Sequence, residues 1–299
     1  MTNRIMLLGA AGQVGQALQS LETPQGWAFG LYGRRELDIT DPSALRDAVQ
    51  TFKPDLIINA AGLTNVDAAE QDSDAAMAAN FAAPANLAAQ CSSNDIPLIH
   101  LSTDYVFDGD DAVPYQPDDG MNPVNAYGQS KMMGEEAIRH ELAWHVILRV
   151  SSVFSAFNRN ILTNTLKLID ERDELRFVDD QRGCPTPALD VARAINVIAA
   201  AILKGQSGGF GTFHFCGAPG CTRFEFTKAV MASYARYTTR RPRIMPATSS
   251  EFAHLARRPT YSIMDCSKIR RVYGLEQPQW QDGLTAALRQ MFQSGSANA

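Results

Sequence analysis

Along the first half of the chain, short apolar runs alternate with longer stretches whose apolar positions recur at helical spacing. Runs of that length, apolar throughout, suit strands buried on both faces of a parallel sheet, and the stretches between them suit the crossover helices of βαβ units. The pattern predicts strands over Ile5 to Leu8, Trp27 to Tyr32, Asp55 to Asn59, Pro97 to Leu101 and His145 to Val150. Helices are expected over Val14 to Leu21, Ser43 to Phe52, Ser73 to Asn94 and Ala126 to His140. A loop rich in Asp, Pro and Gly, Asp108 to Asn125, is longer than a compact fold keeps without a use for it.

Beyond Ser151 the pattern loosens. Helices are expected over Asn160 to Glu171, Ala188 to Leu203, Arg223 to Tyr237 and Trp280 to Gln293, with strands over Leu175 to Val178 and Gly211 to Cys216. The small-residue tail Ser294 to Ala299 is expected to fray. Two units follow: 1–150, carrying the first sheet, and 151–299, a smaller lobe with some segments returning to the first.

Composition narrows the classes. The 299 residues are 45% hydrophobic and 20% charged, ordinary for a globular protein and too apolar for disorder. A formal net charge of −5 offers no basic field for nucleic acid or an anionic membrane, so neither is expected as a partner. Met1 to Arg4 runs into a short apolar segment and glycines without a leader or spanning stretch, and the cytoplasm is the expected compartment. The five cysteines (Cys91, Cys184, Cys216, Cys221 and Cys266) lack metal-binding spacing and read as free thiols. The dispersed histidines His100, His140, His145, His214 and His254 read as structural.

After the first strand comes Gly9-Ala10-Ala11-Gly12-Gln13-Val14-Gly15. Glycines between a strand and a helix permit a tight turn and let the backbone approach a pyrophosphate, which the helix N-terminus binds through free N–H groups. This turn makes the fold Rossmann-like, a doubly wound parallel sheet with a C-terminal substrate-binding lobe. At the end of the second strand stand Arg34 and Arg35, with Glu36 beside them. An arginine there suits a 2′-phosphate, so NADPH is preferred over NADH and Arg34 is its candidate clamp.

Tyr127 and Lys131 lie one helical turn apart on one face. A ketone that gains hydride must be protonated on oxygen, and a tyrosine can supply that proton if a neighbouring ammonium lowers its pKa. Lys131 is the expected ammonium. Thr103, at a strand's carboxyl end, is placed to steady the carbonyl oxygen.

These residues resemble the extended short-chain dehydrogenase/reductases, and within them the dTDP-4-dehydrorhamnose reductase family. The resemblance runs through Gly9 to Gly15, Leu37-Asp38-Ile39-Thr40-Asp41, Asn59 to Glu70, Ser102 to Gly109 and Asn122 to Lys131 with Gly134-Glu135. It continues in Asp180 to Thr186 and Arg257-Arg258-Pro259. It implies reduction of the 4-keto group of a dTDP-4-keto-6-deoxy-L-hexose, giving dTDP-L-rhamnose, with Thr103, Tyr127 and Lys131 catalytic. It further implies that Gly9, Gly12, Gln13, Val14, Gly15, Asp38, Ile39, Ala60, Ala61 and Thr64 line the cofactor. Val66, Asp104 and Tyr105 would face the sugar, and Arg258 the diphosphate. Members of the family use NADPH or NADH, and some are magnesium-linked homodimers, although no metal ligand set is legible here.

One position departs. Where the family has Arg-Thr-Ser-Trp-Val, this chain has Arg149-Val150-Ser151-Ser152-Val153, so Ser152 replaces a large apolar wall beside the substrate. Another dTDP-deoxysugar product, such as dTDP-6-deoxy-L-talose, stays open for that reason. Related dehydratases carry Asp then Glu after the threonine, whereas Tyr105 follows Asp104 here, and epimerases retain their NAD, which Arg34 disfavours. A non-catalytic regulatory subunit of the same fold would not need the intact trio.

Overall fold

Six parallel strands form the central sheet of the computed structural model, which describes residues 2–205, 207–253 and 255–293. His254 and the tail 294–299 lie outside the described residues. The strands are β1 (Asn3–Leu8), β2 (Trp27–Tyr32), β3 (Leu56–Asn59), β4 (Leu98–Thr103), β5 (His145–Val150) and a sixth, Gly211–His214. Their order across the sheet is the sixth strand, then β5, β4, β3, β1 and β2. The chain starts one strand in from the edge, steps outward to β2 and then returns to build the rest of the sheet on the other side of β1. The carboxyl ends of β1 and β3 thus flank the switch point where open α/β sheets bind ligands.

Alternation along each strand sends side chains to opposite faces. On one face Leu7, Ile58 and Leu148 pack with Val14 and Leu18 of α1 (Gln13–Ser20) and with Val191, Ile195 and Ile198 of the helix Ala188–Leu203. On the other, Met6, Ile57 and Ile147 meet Leu45 and Val49 of α2 (Pro42–Phe52), Leu87 and Ile138. Each such side chain contributes roughly 1.5–3 kcal/mol on burial. A separate core gathers around Phe154, Leu162, Phe226 and Trp280.

The stretch expected as one helix over Ser73 to Asn94 is divided. It forms α4 (Ser73–Met77), a π-helical turn over Ala78–Ala82 and α5 (Ala83–Ser93), preceded by a short α3 (Val66–Gln71). Pro84 has no N–H for the carbonyl four residues back and its ring crowds that carbonyl, so the ladder widens before it. The widened turn buries Asn80, whose amide donates to the Leu63 carbonyl (2.9 Å) and to Ser130 Oγ (3.0 Å). Among the elements longer than three residues, three lack a signal in the apolar pattern: α3, the strand Arg243–Ala247 and the helix Ser267–Tyr273. Arg243–Ala247 pairs parallel with Glu174–Val178, which supplies the order its own polar and Pro-containing sequence does not. Among the described residues no helix is long and apolar enough to cross a membrane, and all five cysteines are buried and free.

Candidate active site

The turn after β1 opens the first part of a long cleft. Gly9 adopts φ +78°, and a Cβ on it would lie 2.6 Å from the Ala60 backbone, so the ends of β1 and β3 meet only because that side chain is missing. Gly12 caps α1 without a side-chain hydrogen bond, and the first turn of the helix has no acidic residue. Its N–H groups are therefore available to an anion. A cavity of about 450 Å³ here is lined by Gly9, Gly12, Arg34, Asp38, Ile39, Ala60 and Ala61. Gly15 is buried one turn into the helix, behind this wall. The Glu36 carboxylate accepts from the Gly33 N–H (2.9 Å), which ties up the acidic group beside Arg34. Asp38 accepts from the Thr40 hydroxyl (2.7 Å), and hydrogen bonds from Thr40 hold its carboxyl below the usual range.

The cleft continues into a cavity of about 480 Å³ that gathers the rest of the expected site. Gln13 and Val14 come from α1; Thr64 and Val66 from the segment after β3; Thr103, Asp104 and Tyr105 from the end of β4. Tyr127 and Lys131 come from α6 (Ala126–Glu141), and Ser152 from beyond β5. Asn125 caps α6 by accepting from the Gly128 N–H (2.8 Å), while its amide donates to the Arg257 carbonyl (2.8 Å), tying the helix start to the second lobe. A Cβ on Gly128 would sit 2.1 Å from the Tyr105 carbonyl, so only glycine lets α6 press against the end of β4. Deeper in, the buried Arg149 and Glu135 side chains pair through two N–H···O bonds (2.9 and 2.7 Å), fixing α6 on β5.

The electrostatics differ from the expected simple pairing. Lys131 Nζ donates to the Leu101 carbonyl (2.6 Å) and lies 3.3 Å from His100 Nε2. Burial pulls its pKa down to about 8, partly opposed by Glu135. The Tyr127 phenol is not pulled down by an ammonium: burial pushes it well above its ordinary value, the nearby Asp104 and Tyr105 add to the rise, and a Thr103 hydrogen bond opposes it. The Thr103 hydroxyl, expected to point at a carbonyl oxygen, donates to the Asp104 carboxyl (3.1 Å). Asp104 is fully enclosed and also accepts from Ser151 (2.7 Å) and Ser262 (2.6 Å), yet burial still raises its pKa.

A third cavity, about 580 Å³, shares Tyr105, Ser152 and Ile161 with the second and is otherwise lined by residues from Leu168 onward. Its wall carries five arginines: Arg172, Arg176, Arg182, Arg223 and Arg258. Arg258, expected at a diphosphate, pairs with Asp67 (2.8 Å), and Arg182 with Glu225 (3.4 Å). Arg223 was not among the expected site residues. It follows the Thr222 cap of the helix Arg223–Tyr234, its guanidinium lies 5.8 Å from the Phe226 ring centre, and its Nη1 is buried without a hydrogen-bond partner. The Thr-x-x-Glu capping box Thr222 to Glu225 was the available signal for its placement. His100, placed beside Lys131, was also missed because its position inside an apolar strand gives no hint of a cleft.

A doubly wound sheet, an uncapped glycine turn and a tyrosine one turn before a lysine define a Rossmann-like reductase of the extended short-chain type. The family model described as RmlD substrate binding domain matches residues 3–293, and the chain belongs to that family. It is 36% identical to a dTDP-4-dehydrorhamnose reductase of Sinorhizobium fredii, over 93% of this chain and 94% of that one. It is 31% identical to the dTDP-4-dehydrorhamnose reductase of Escherichia coli, over 96% of this chain and 98% of that protein. A crystal structure of dTDP-4-dehydrorhamnose reductase from Bacillus anthracis in complex with NADP superposes with a TM-score of 0.89 at 32% identity, covering 97% of this chain and 100% of that one.

Proposed function

We propose that this chain uses NADPH to reduce the 4-keto group of a dTDP-4-keto-6-deoxy-L-hexose, giving dTDP-L-rhamnose. The observation that carries the reading is one continuous cleft in which a glycine turn, the Thr103, Tyr127 and Lys131 side chains and an arginine-lined lobe follow one another. The first cavity fits a dinucleotide: the free N–H groups of α1 suit its diphosphate, and Arg34 suits a 2′-phosphate. Bound NADPH would supply the reducing equivalents. The chain's own residues bind the nucleotide sugar through Arg223 and Arg258, present the carbonyl to Tyr127 and release the phenol proton to its oxygen. Thr103 and Asp104 fix the phenol's surroundings. Because burial keeps Tyr127 protonated at neutral pH, the acid needed for reduction is present before substrate arrives.

Ser152 favours a second reading of the product. It lies exposed at the junction of the second and third cavities, where a tryptophan would build a wall, so the ring has room to turn. That geometry suits dTDP-6-deoxy-L-talose as the alternative product. A magnesium-linked homodimer gains no support: no group of three or more His, Cys, Asp or Glu among the described residues is placed to hold a metal. The decisive assay mixes purified protein with the keto sugar and NADPH or NADH, follows absorbance at 340 nm and identifies the product by NMR. Oxidation with a rhamnose product is expected, faster with NADPH. Binding without oxidation would favour a regulatory subunit instead.

A further inference from the structure

Beneath the cleft, three buried polar side chains stand in a row: Asn59 at the end of β3, His100 opposite it in register on β4, and Lys131 from α6. Their contacts constrain one another. The Asn59 side-chain oxygen accepts from the Ala61 N–H (3.1 Å), which fixes the amide, because a backbone N–H can only donate. The other end of the amide, an NH2 group, faces His100 Nδ1 at 3.0 Å. Two donors cannot share that contact, so Nδ1 carries no proton and the neutral ring bears its hydrogen on Nε2. Nε2 faces Lys131 Nζ at 3.3 Å. An ammonium has three donors and no acceptor, so the whole row is satisfied only when Nζ has a lone pair to offer.

We propose that His100, locked by Asn59 as its Nε2–H tautomer, is a positioning residue that donates to Lys131 Nζ and holds this lysine ready to stand as an amine. This deepens the reductase reading and rests on it for its meaning. While Lys131 is an amine, Tyr127 keeps its proton for delivery. When the phenol has given that proton up, uptake of one proton from water at Nζ breaks the Nε2–H···Nζ bond and leaves an ammonium in the same cavity as the phenolate. Other groups around the row bear on this balance. On α6, Glu135 favours the ammonium but is tied to Arg149 and Arg139. On β5, His145 lies near His100 and disfavours its imidazolium, and β3 contributes only the uncharged Asn59. Full burial of His100 likewise keeps the ring neutral.

Two measurements on the full chain test this without substrate. In protein labelled with 15N-histidine, long-range 1H–15N correlations of His100 should show a protonated Nε2 and a bare Nδ1 from about pH 6 to 9. A ring protonated on Nδ1, or an imidazolium, overturns the proposal, and this readout needs no variant that folds. In protein labelled with 13Cε-lysine, Lys131 should titrate near 8, as its burial indicates. In His100→Leu its midpoint should rise by about one unit or more, because the bond that stabilised the amine is gone. A midpoint that stays or falls would refute the donor role. If the keto sugar is not reduced while both signatures hold, the substrate reading fails and the His100 inference stands; lost signatures in an active reductase do the reverse.

Discussion

In the proposed role Tyr127 works against two opposed demands: it must keep its proton until a substrate oxygen becomes basic, then lose it quickly. Burial meets the first, and a Thr103 hydrogen bond bears on the second. Tyr127→Phe keeps the ring and its edge contact with Tyr105, so cofactor affinity should stay within a few-fold. Turnover should fall by at least ~100-fold, the low end for loss of a positioned general acid. Single-turnover kinetics with fluorescence binding of NADPH would separate the two effects, and undiminished turnover would remove Tyr127 from the role. In the third cavity Arg223 has a buried nitrogen without a partner, which an anionic ligand could satisfy. Arg223→Ala should therefore raise the KM for nucleotide sugar by roughly 10-fold or more, the weight of one charge-assisted hydrogen bond. The NADPH KM should not move, because Arg223 lies outside the dinucleotide end of the cleft.

Helix α6 carries both Tyr127 and Lys131, so what anchors it sets the geometry of the site. The Glu135–Arg149 pair is that anchor, with Arg149 also donating to the Pro117 carbonyl (3.0 Å). Glu135→Ala strands a buried guanidinium and should cost ~3–5 kcal/mol in urea unfolding. A loss under ~1 kcal/mol would mean that the pair is not what seats the helix. At this scale the sequence was most readable where apolar period and capping chemistry agree. β1 to β5 and α6 fall within a few residues of expectation, and the glycine turn and the Tyr127 to Lys131 spacing marked two of the three cavities. The rest depended on tertiary context. A π-helical turn before Pro84 leaves no mark in hydrophobic period, Arg243–Ala247 is a strand only through its partner, and Arg223 faces a cavity that distant segments assemble. Nor does helical spacing reveal that the Lys131 amine turns down to Leu101 and His100.

For the molecule as a whole, the buried lysine has a cost that depends on pH. Its pKa is about 8 in the fold and 10.5 as the ordinary value, so below pH 8 the fold must bury a charge that the unfolded chain keeps in water. The unfolded state binds more protons between these values, and stability from this group rises with pH across that window. Lys131→Met abolishes the effect. Its stability advantage over the parent should be largest below pH 8 and shrink by roughly 3 kcal/mol by pH 10.5. Because the comparison is a difference, titrating tyrosines and cysteines common to both proteins cancel; an advantage that does not vary with pH would contradict the burial of this charge.

The sixth strand of the sheet, Gly211–His214, comes from far downstream and covers β5, which is buried at every position. A nascent chain emerging from the ribosome must therefore carry β5 with an unzipped, oily border until residue 214 has been made. Until then that border is a template for any other extended chain nearby. A fragment ending at residue 150 should therefore clump rather than dissolve.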